Sequence, residues 1–315
     1  MSSFTGSGAW TCDSFSQASE WVYHFRPETL AEIDGFVRRR RRKPGSATPD
    51  DQWVLPSLES DLLRLRDELL TGRGFVLLKG LPLDRYSEEE AAGIYWGLGT
   101  RLGTPLPQNA RGDLLYSVRD EGYVIARDYG TVGVRFSKTR EPLNFHTDAA
   151  PAWWGITPNV VGLLALRTAR SGGASVLVSG QTVHNVLLQE RPDCLQRFYE
   201  PYYFDRRAEI QPGEPETLQA PIFSFDGSLS VRYFRHYINE GHALAATPLQ
   251  GLDLEALEVL ESVMARPELQ FAFEMETGDI QFVNNFFILH SRQAYEDYPD
   301  PARKRHLKRI WINFD

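Results

Sequence analysis

Apolar positions recur at helical spacing over the first seventy or so residues and at short, strand-like spacing over most of the rest. Leu30, Ile33 and Phe36–Val37 set a helical period over Pro27 to Arg42. Leu58, Leu62, Leu65 and Leu69 share one face of a second helix over about Ser57 to Leu70, with Gly72 as its expected C-cap. Phe75–Leu78 reads as a buried strand between Gly74 and Gly80. Ser87-Glu88-Glu89-Glu90 has the form of a capping box, in which the Ser87 hydroxyl accepts from the helix's third amide while Glu90 reaches back. The helix it opens should end near Gly99–Gly103. From about residue 105, short apolar or alternating runs are separated by Gly, Pro, Asn and Asp. They are Tyr123–Ala126, Val160–Leu166, Ser175–Val178, Phe223–Phe225, Ser230–Tyr233, Phe271–Met275, Ile280–Val283, Phe286–Leu289 and Leu307–Asn313. Many short strands with turn signals predict a sandwich or barrel. Two helices should interrupt them, over Thr182–Tyr199 and over Leu254–Ala265, the second N-capped by Asp253. No internal repeat and no domain boundary is visible. The expectation is one mainly β unit over 1–315 with flanking helices, residues 1–72 forming a helical portion packed on a 73–315 core.

Composition narrows the class. A chain of 315 residues is long enough to bury about three quarters of its unfolded surface without disulfides. Its formal charge of −8 argues against non-specific nucleic-acid binding, which needs a basic footprint. The basic run Arg38–Lys43, closed by Pro44-Gly45, is read as a solvated helix end that complements the macrodipole. Cys12 and Cys194 form neither a disulfide framework nor a zinc motif. The N-terminus has no basic start followed by an apolar run, and Val160–Leu166 is far short of a membrane span. A soluble, cytoplasmic protein acting on a small molecule is expected, with no membrane or nucleic-acid partner; a homo-oligomer is compatible with the sequence.

Three elements carry candidate chemistry. In Phe145-His146-Thr147-Asp148 an imidazole and a carboxylate stand two residues apart, so on an extended strand end both point to one side. Alone, this H-x-D is weak. The second element, Gly278 to His290, is a turn, a strand, a break at Asn284-Asn285 and a second apolar strand ending in His290. The third, Arg303 to Ile312, is a strand whose alternation puts Arg305, Leu307 and Arg309 on one side and His306, Lys308 and Ile310 on the other. Two histidines and one carboxylate on one face of a metal form the facial triad of non-haem Fe(II) oxygenases. A buried arginine can hold a dicarboxylate cosubstrate by bidentate bonds.

This order resembles the taurine dioxygenase/TfdA-like family of Fe(II)- and 2-oxoglutarate-dependent dioxygenases, within the clavaminate-synthase-like group. The resemblance runs from about Gly74 to the C-terminus through GFVLLKGLPLD, LPQN-x-x-GD, LNFHTD, SGGAS, GDIQFVNN, LHSR and RHLKRIWI. It implies a double-stranded β-helix, or jelly roll, with helices outside. It implies His146, Asp148 and His290 as iron ligands, and Arg305 paired with the distal carboxylate of 2-oxoglutarate. Ser175, in SGGAS, would assist that pairing. Arg309 would face the cosubstrate's first carboxylate or an anionic group of the substrate. Fe(II), 2-oxoglutarate and O2 would hydroxylate an aliphatic C–H, releasing succinate and carbon dioxide. A carboxylate at position 148 favours hydroxylation over halogenation, with desaturation or cyclisation as related outcomes.

Candidate substrate contacts are Gln108 and Asn109 in LPQN, Asn144 beside the iron motif, and Arg232 in VRYFRHY, with Trp153-Trp154 as a possible wall. Tyr295 to Pro301 reads as a lid-like loop or a connector. The expected substrate is a small polar molecule, an amino acid or a natural-product intermediate. Two other readings compete. One is a zinc- or manganese-dependent hydrolase or isomerase on a cupin-like barrel, which would not need Arg305. The other is a non-catalytic jelly-roll binding protein.

Overall fold

Eleven strands build the two sheets that position the site. In chain order they are β1 (Val22–His24), β2 (Phe75–Lys79), β3 (Thr104–Leu106), β4 (Leu115–Val118), β5 (Leu143–His146), β6 (Val160–Arg167), β7 (Ser175–Ser179), β8 (Phe271–Phe273), β9 (Ile280–Asn284), β10 (Ile288–Arg292) and β11 (His306–Asn313). The computed structural model describes residues 2–15, 17–42, 55–131, 133–151, 155–207, 210 and 213–314. The expected polar loop Gly45–Gln52, Lys43 and the Trp153-Trp154 pair lie outside them.

The larger sheet has seven strands in the order β1-β2-β9-β6-β11-β3, with β4 also pairing β11. β1 and β2 run parallel and every other pairing is antiparallel, so the sheet is mixed. The smaller sheet has the order β8-β7-β10-β5. Leu177 and Leu289 from the smaller sheet share one core with Phe75, Val161, Val283 and Trp311 from the larger. The other face of the larger sheet is covered by three helices, α1 (Pro27–Arg42), α2 (Pro56–Leu70) and α3 (Glu88–Leu102). Ile33, Leu58, Leu69, Ile94 and Leu98 there meet Val76, Leu164, Ile280 and Ile310. Covering on both faces explains why β2 reads as a continuous apolar run over Phe75–Leu78. Four more helices follow: α4 (Gly180–Glu190), α5 (Pro192–Arg197), α6 (Arg235–Leu244) and α7 (Leu252–Met264).

The local signals explain most boundaries. Ser87 accepts from the Glu90 amide, and Glu90 accepts from the Ser87 amide at 2.9 Å, the reciprocal pair that opens α3. Arg41, within the basic run, bonds Glu90 at 2.6 Å, so this cation ties α1 to the start of α3. Gly162 lies where an added Cβ would come within 2.5 Å of the Tyr95 hydroxyl and 2.6 Å of the Phe282 ring. This is a close approach that only glycine allows.

Several expectations are corrected. Tyr123–Ala126 is not a strand; Ile125–Asp128 forms one helical turn, its Ile125 amide donating to Glu141. The helix expected over Thr182–Tyr199 breaks at Arg191 into α4 and α5, because Pro192 cannot donate to continue it. α7 starts at Leu252 with Gly251 as N-cap; Asp253 lies inside its first turn and pairs with Arg197. α2 is capped by Thr71, not Gly72. The strand expected over Phe286–Leu289 begins at Ile288, which places His290 at its centre and not its end. Helix α6 begins at Arg235, within VRYFRHY, which reads from the sequence as an alternating run.

Candidate metal centre

β5 and β10 pair antiparallel with His146 directly opposite His290. Side chains directly opposite each other project to the same face, so register alone brings the imidazoles together, their centroids 4.3 Å apart. Asp148 stands just beyond β5. Its amide donates to Asn285 Oδ1 at 2.7 Å, and Asn285 Nδ2 donates back to the Asp148 carbonyl at 2.9 Å. Asn285 also donates to the Pro158 carbonyl. The next residue, Ala149, has φ 55°, a left-handed backbone that costs a non-glycine residue about 1–3 kcal/mol. The turn after the ligand is therefore held by the amide clamp against local strain.

One ligand atom from each of His146, Asp148 and His290 lies within 4.8 Å of the others, and all three residues are buried. His146 Nε2 is 3.4 Å and His290 Nε2 3.8 Å from Asp148 Oδ1. His146 Nδ1 lies 2.9 Å from the Asn144 carbonyl, an acceptor, so the ring proton belongs there and the Nε2 lone pair faces the cluster. Burial, then the neighbouring His290, pushes the His146 pKa below its ordinary value, which keeps the ring neutral as a ligand must be. Burial alone would raise Asp148, but the Arg309 guanidinium holds it well below the usual carboxylate range. Two imidazoles and one carboxylate, converging and buried, fit a divalent first-row metal with open positions opposite.

The outer oxygen of Asp148 is held from the larger sheet. Arg309 Nη1 lies 3.1 Å from Oδ2 and Trp311 Nε1 donates to the same atom at 2.8 Å. Arg309 is fixed in turn by Gln108, whose Oε1 accepts from Arg309 Nε at 2.7 Å. Gln108 Nε2 donates to the Leu114 and Arg309 carbonyls. Arg309 and Trp311 line the small cavity over the ligands, along with Arg135, Ser137 and Phe234.

A second buried region lies further along the same faces. Two residues beyond His290, Arg292 pairs across to Ser175, so Ser175 shares the face of the ligand histidine. Arg305 immediately precedes β11. Tyr295 lies between these arginines, its ring centroid 5.0 Å from the Arg292 guanidinium and 4.9 Å from that of Arg305. Burial pushes the Arg305 pKa down, and burial followed by the Arg305 charge pushes Arg292 to about 10. Arg305 Nη1 is buried without a partner among the described residues. A Cβ at Gly173 would stand 3.5 Å from Arg305 Nε. This is a cationic recess with unfilled donors, and it fits a carboxylate.

Other candidates fall elsewhere. The Asn109 side chain closes its own turn, with Nδ2 on Asp113 and Oδ1 accepting from the Arg111 and Asp113 amides. Asn144 is exposed and lines an outer groove beside Glu261 and Met264, on the side of β5 away from His146. The register of β5 on β10 slips by one residue between the His146–His290 and Leu143–Arg292 pairs, so the regular two-residue alternation is broken between Asn144 and His146. Arg232 is mostly buried and donates to the Ala150 carbonyl, two residues past Asp148. Gln108 reaches the site only through Arg309. The first part of the expected lid is pinned: Tyr295–Glu296 pairs with Ser171–Gly172. Asn285, Trp311, Arg135 and Ser137 were missed by sequence reasoning. Only Asn285 had a signal, the Asn-Asn break between two apolar runs.

Residues 42–311 match the model of the taurine catabolism dioxygenase TauD, TfdA family. FR-33289 synthase of Streptomyces rubellomurinus (strain ATCC 31215) is 31% identical over 317 residues, covering 99% of this chain and 90% of that protein. Among solved structures, asparagine oxygenase in complex with Fe(II), 3-hydroxyasparagine and succinate superposes with a TM-score of 0.71 at 18% identity, over 94% of each chain. The non-haem iron oxygenase OrfP, in complex with Fe, succinate and (3S)-hydroxy-L-Arg, gives a TM-score of 0.65 at 16% identity, over 93% of this chain and 94% of that one. These likenesses agree with a mixed sheet flanked by helices. Among the described residues no helix is long and apolar enough to cross a membrane.

Proposed function

We propose, for a chain that belongs to the taurine catabolism dioxygenase TauD, TfdA family, that it hydroxylates an aliphatic C–H of a small molecule and releases succinate and carbon dioxide. The chain is an oxygenase that uses Fe(II), with 2-oxoglutarate and O2 as cosubstrates. We read its two sheets as the double-stranded β-helix of that group. His146, Asp148 and His290 would hold the iron. Arg305, assisted by Ser175, would hold the distal carboxylate of 2-oxoglutarate, and Arg309 would stand between the iron ligand Asp148 and the cosubstrate's first carboxylate. The bound iron and 2-oxoglutarate supply the oxidising power that activates dioxygen toward an unactivated C–H.

The protein contributes position and charge. Trp311 and Arg309 occupy Asp148 Oδ2, which leaves Oδ1 for the metal. Phe234 packs on the His146 ring at 5.2 Å and, with Phe136, makes one side of the cavity apolar. Arg232, two residues before Phe234, is the remaining candidate for a substrate contact.

The observation that carries this reading is the buried Arg305, whose Nη1 has no partner among the described residues and which stands one residue before the strand of Arg309, the arginine that touches a metal ligand. A hydrolytic metal site has no use for it. The test is anaerobic addition of Fe(II) and then 2-oxoglutarate, read by the visible charge-transfer band. His146→Ala should abolish the band. Arg305→Ala removes about two charged hydrogen bonds and should weaken 2-oxoglutarate binding by about 100-fold or more. A folded, iron-loaded protein that gives no band would overturn the proposal.

A further inference from the structure

A second cluster of reactive side chains lies on the side of β11 away from Arg309. Ser117 on β4 pairs directly with Lys308 on β11, so their side chains share a face. His306, two residues before Lys308, shares it too. Lys308 Nζ lies 2.9 Å from Ser117 Oγ, and His306 Nε2 lies 3.1 Å from the same oxygen. His306 Nδ1 is 3.1 Å from Oε1 of Glu88, the first residue of α3. Strand alternation turns this cluster away from the metal centre, which makes no use of it.

The partners fix the protons. An ammonium can only donate, so Lys308 fills a lone pair of Ser117 Oγ and the hydroxyl proton goes to Nε2. The ring proton then sits on Nδ1 and points at Glu88. Arg167 also approaches Nδ1, at 3.2 Å, but it donates to the other oxygen of Glu88 at 3.2 Å and to the Lys304 carbonyl at 3.1 Å. Its effect is to hold the carboxylate in place. His306 is 2% exposed, and burial, opposed by Glu88, keeps the ring neutral at neutral pH. A hydroxyl bonded to a neutral imidazole whose other nitrogen is held by a carboxylate is the arrangement of a nucleophilic serine.

The surroundings set the class of reactant. Ser117 is half-buried, Glu88 is 44% exposed and Arg119, just past β4, is exposed, so the cluster meets solvent. Lys308, Arg167 and Arg119 set three cations around one carboxylate, and all three act on His306. Lys308 also stands beside the position where a tetrahedral oxyanion on Ser117 would form. A phosphate leaving group matches this positive surround. We propose that Ser117 is a second nucleophile of this chain, acylated by acyl phosphates. Ser117 Oγ bonds the carbonyl carbon, the bond from that carbon to the phosphate oxygen breaks, and phosphate leaves with the electron pair. The hydroxyl proton passes to His306 Nε2 and from there to the departing phosphate. The step needs no oxidant and no metal, so it stands apart from the oxygenase reading.

The experiment incubates the full chain with acetyl phosphate and locates the acetyl group by peptide mass spectrometry over time. Acetylation is expected on Ser117, and hydroxylamine should remove it, since it cleaves an ester and leaves a lysine amide intact. His306→Gln should slow the reaction by about 100-fold or more, the range of general-base catalysis. Glu88→Gln, a change at a part-exposed side chain that leaves the imidazole in place, should slow it by about 10-fold or more. Lys308→Met should slow acetyl phosphate more than the neutral ester p-nitrophenyl acetate. Circular dichroism checks that each variant is folded, and the Glu88→Gln arm decides the matter if His306→Gln does not fold. A folded protein with no acetyl on Ser117 would overturn the proposal. So would hydroxylamine-resistant acetylation of Lys308 in its place, or a Glu88→Gln protein acetylated on Ser117 at the unaltered rate.

Discussion

Trp311 Nε1 donates to Asp148 Oδ2 at 2.8 Å, across the gap between the two sheets. The indole is 1% exposed, so this bond forms away from water. With Arg309 on the same oxygen, it fixes which carboxylate oxygen faces the histidines. Groups that orient a metal ligand from behind affect metal affinity by about 10- to 100-fold when removed. Trp311→Phe keeps most of the apolar volume and deletes the donor. We expect Fe(II) affinity to fall by about 10-fold, measured by competition with a chelator, while the fold is retained by circular dichroism. Unchanged affinity would mean that Arg309 alone orients the carboxylate.

Asn285 acts on the same ligand through its backbone. Its side chain exchanges two hydrogen bonds with Asp148 and donates a third to Pro158, all buried. Asn285→Ala leaves the Asp148 amide without a partner inside the protein. At about 1 kcal/mol per bond, with an added penalty for the orphaned group, the loss should reach about 2–4 kcal/mol. Denaturant unfolding of the metal-free protein measures this. Asn285→Asp, which keeps the acceptor but places a charge beside Asp148, should be no better tolerated.

Much of the site could be read from the chain, and the reason is geometric. His146 and Asp148 are two apart at a strand end, and Arg305 and Arg309 are four apart along a strand, so period-two alternation fixes their sides without tertiary knowledge. The strand contacts agree: Arg305 and Leu307 line one recess, while His306 and Lys308 turn to Ser117 on the opposite side. Contacts made by backbone or across sheets left no such trace. Trp311 reads as one more apolar strand residue, and nothing local reveals that its N–H meets a carboxylate 163 positions away. Asn144 shows the converse. Its closeness in sequence to His146 suggested a substrate contact, yet its side chain lies on the outer face and only its carbonyl serves the site. The break at Arg191 was legible from Pro192 and was overridden by the longer apolar period.

Stability should fall between neutral and mildly acidic pH through two buried histidines away from the metal centre. Burial pushes His184 from its ordinary value to about 4, and burial, opposed by Glu88, does the same to His306. In the unfolded chain each titrates near about 6.5. Below that pH the unfolded state binds protons that the folded state resists, so stability decreases as pH falls from about 6.5 toward about 4. His184→Asn cannot take up that proton. Its melting temperature should therefore change less between pH 7 and pH 4.5 than that of the unaltered protein, a difference that scanning calorimetry resolves. Parallel curves would assign the acid sensitivity to other groups.

Gln108 offers a way to separate iron binding from cosubstrate binding. It is fully buried, touches no metal ligand, and holds Arg309 by Oε1 while its amide group spans two backbone carbonyls. Gln108→Glu keeps the acceptor toward Arg309 but brings a buried carboxyl next to the Leu114 and Arg309 carbonyls, which can only accept. Gln108→Leu removes both functions and frees the Arg309 side chain to turn toward Asp148 alone. If Arg309 steadies the first carboxylate of 2-oxoglutarate, Gln108→Leu should raise the concentration of 2-oxoglutarate needed to form the charge-transfer band by about 10-fold, the scale of one charged hydrogen bond. Fe(II) affinity in the absence of 2-oxoglutarate should stay close to that of the unaltered protein, because Trp311 still holds Asp148. A variant that loses both in proportion would place Arg309 in the support of the metal ligand and leave the cosubstrate to Arg305.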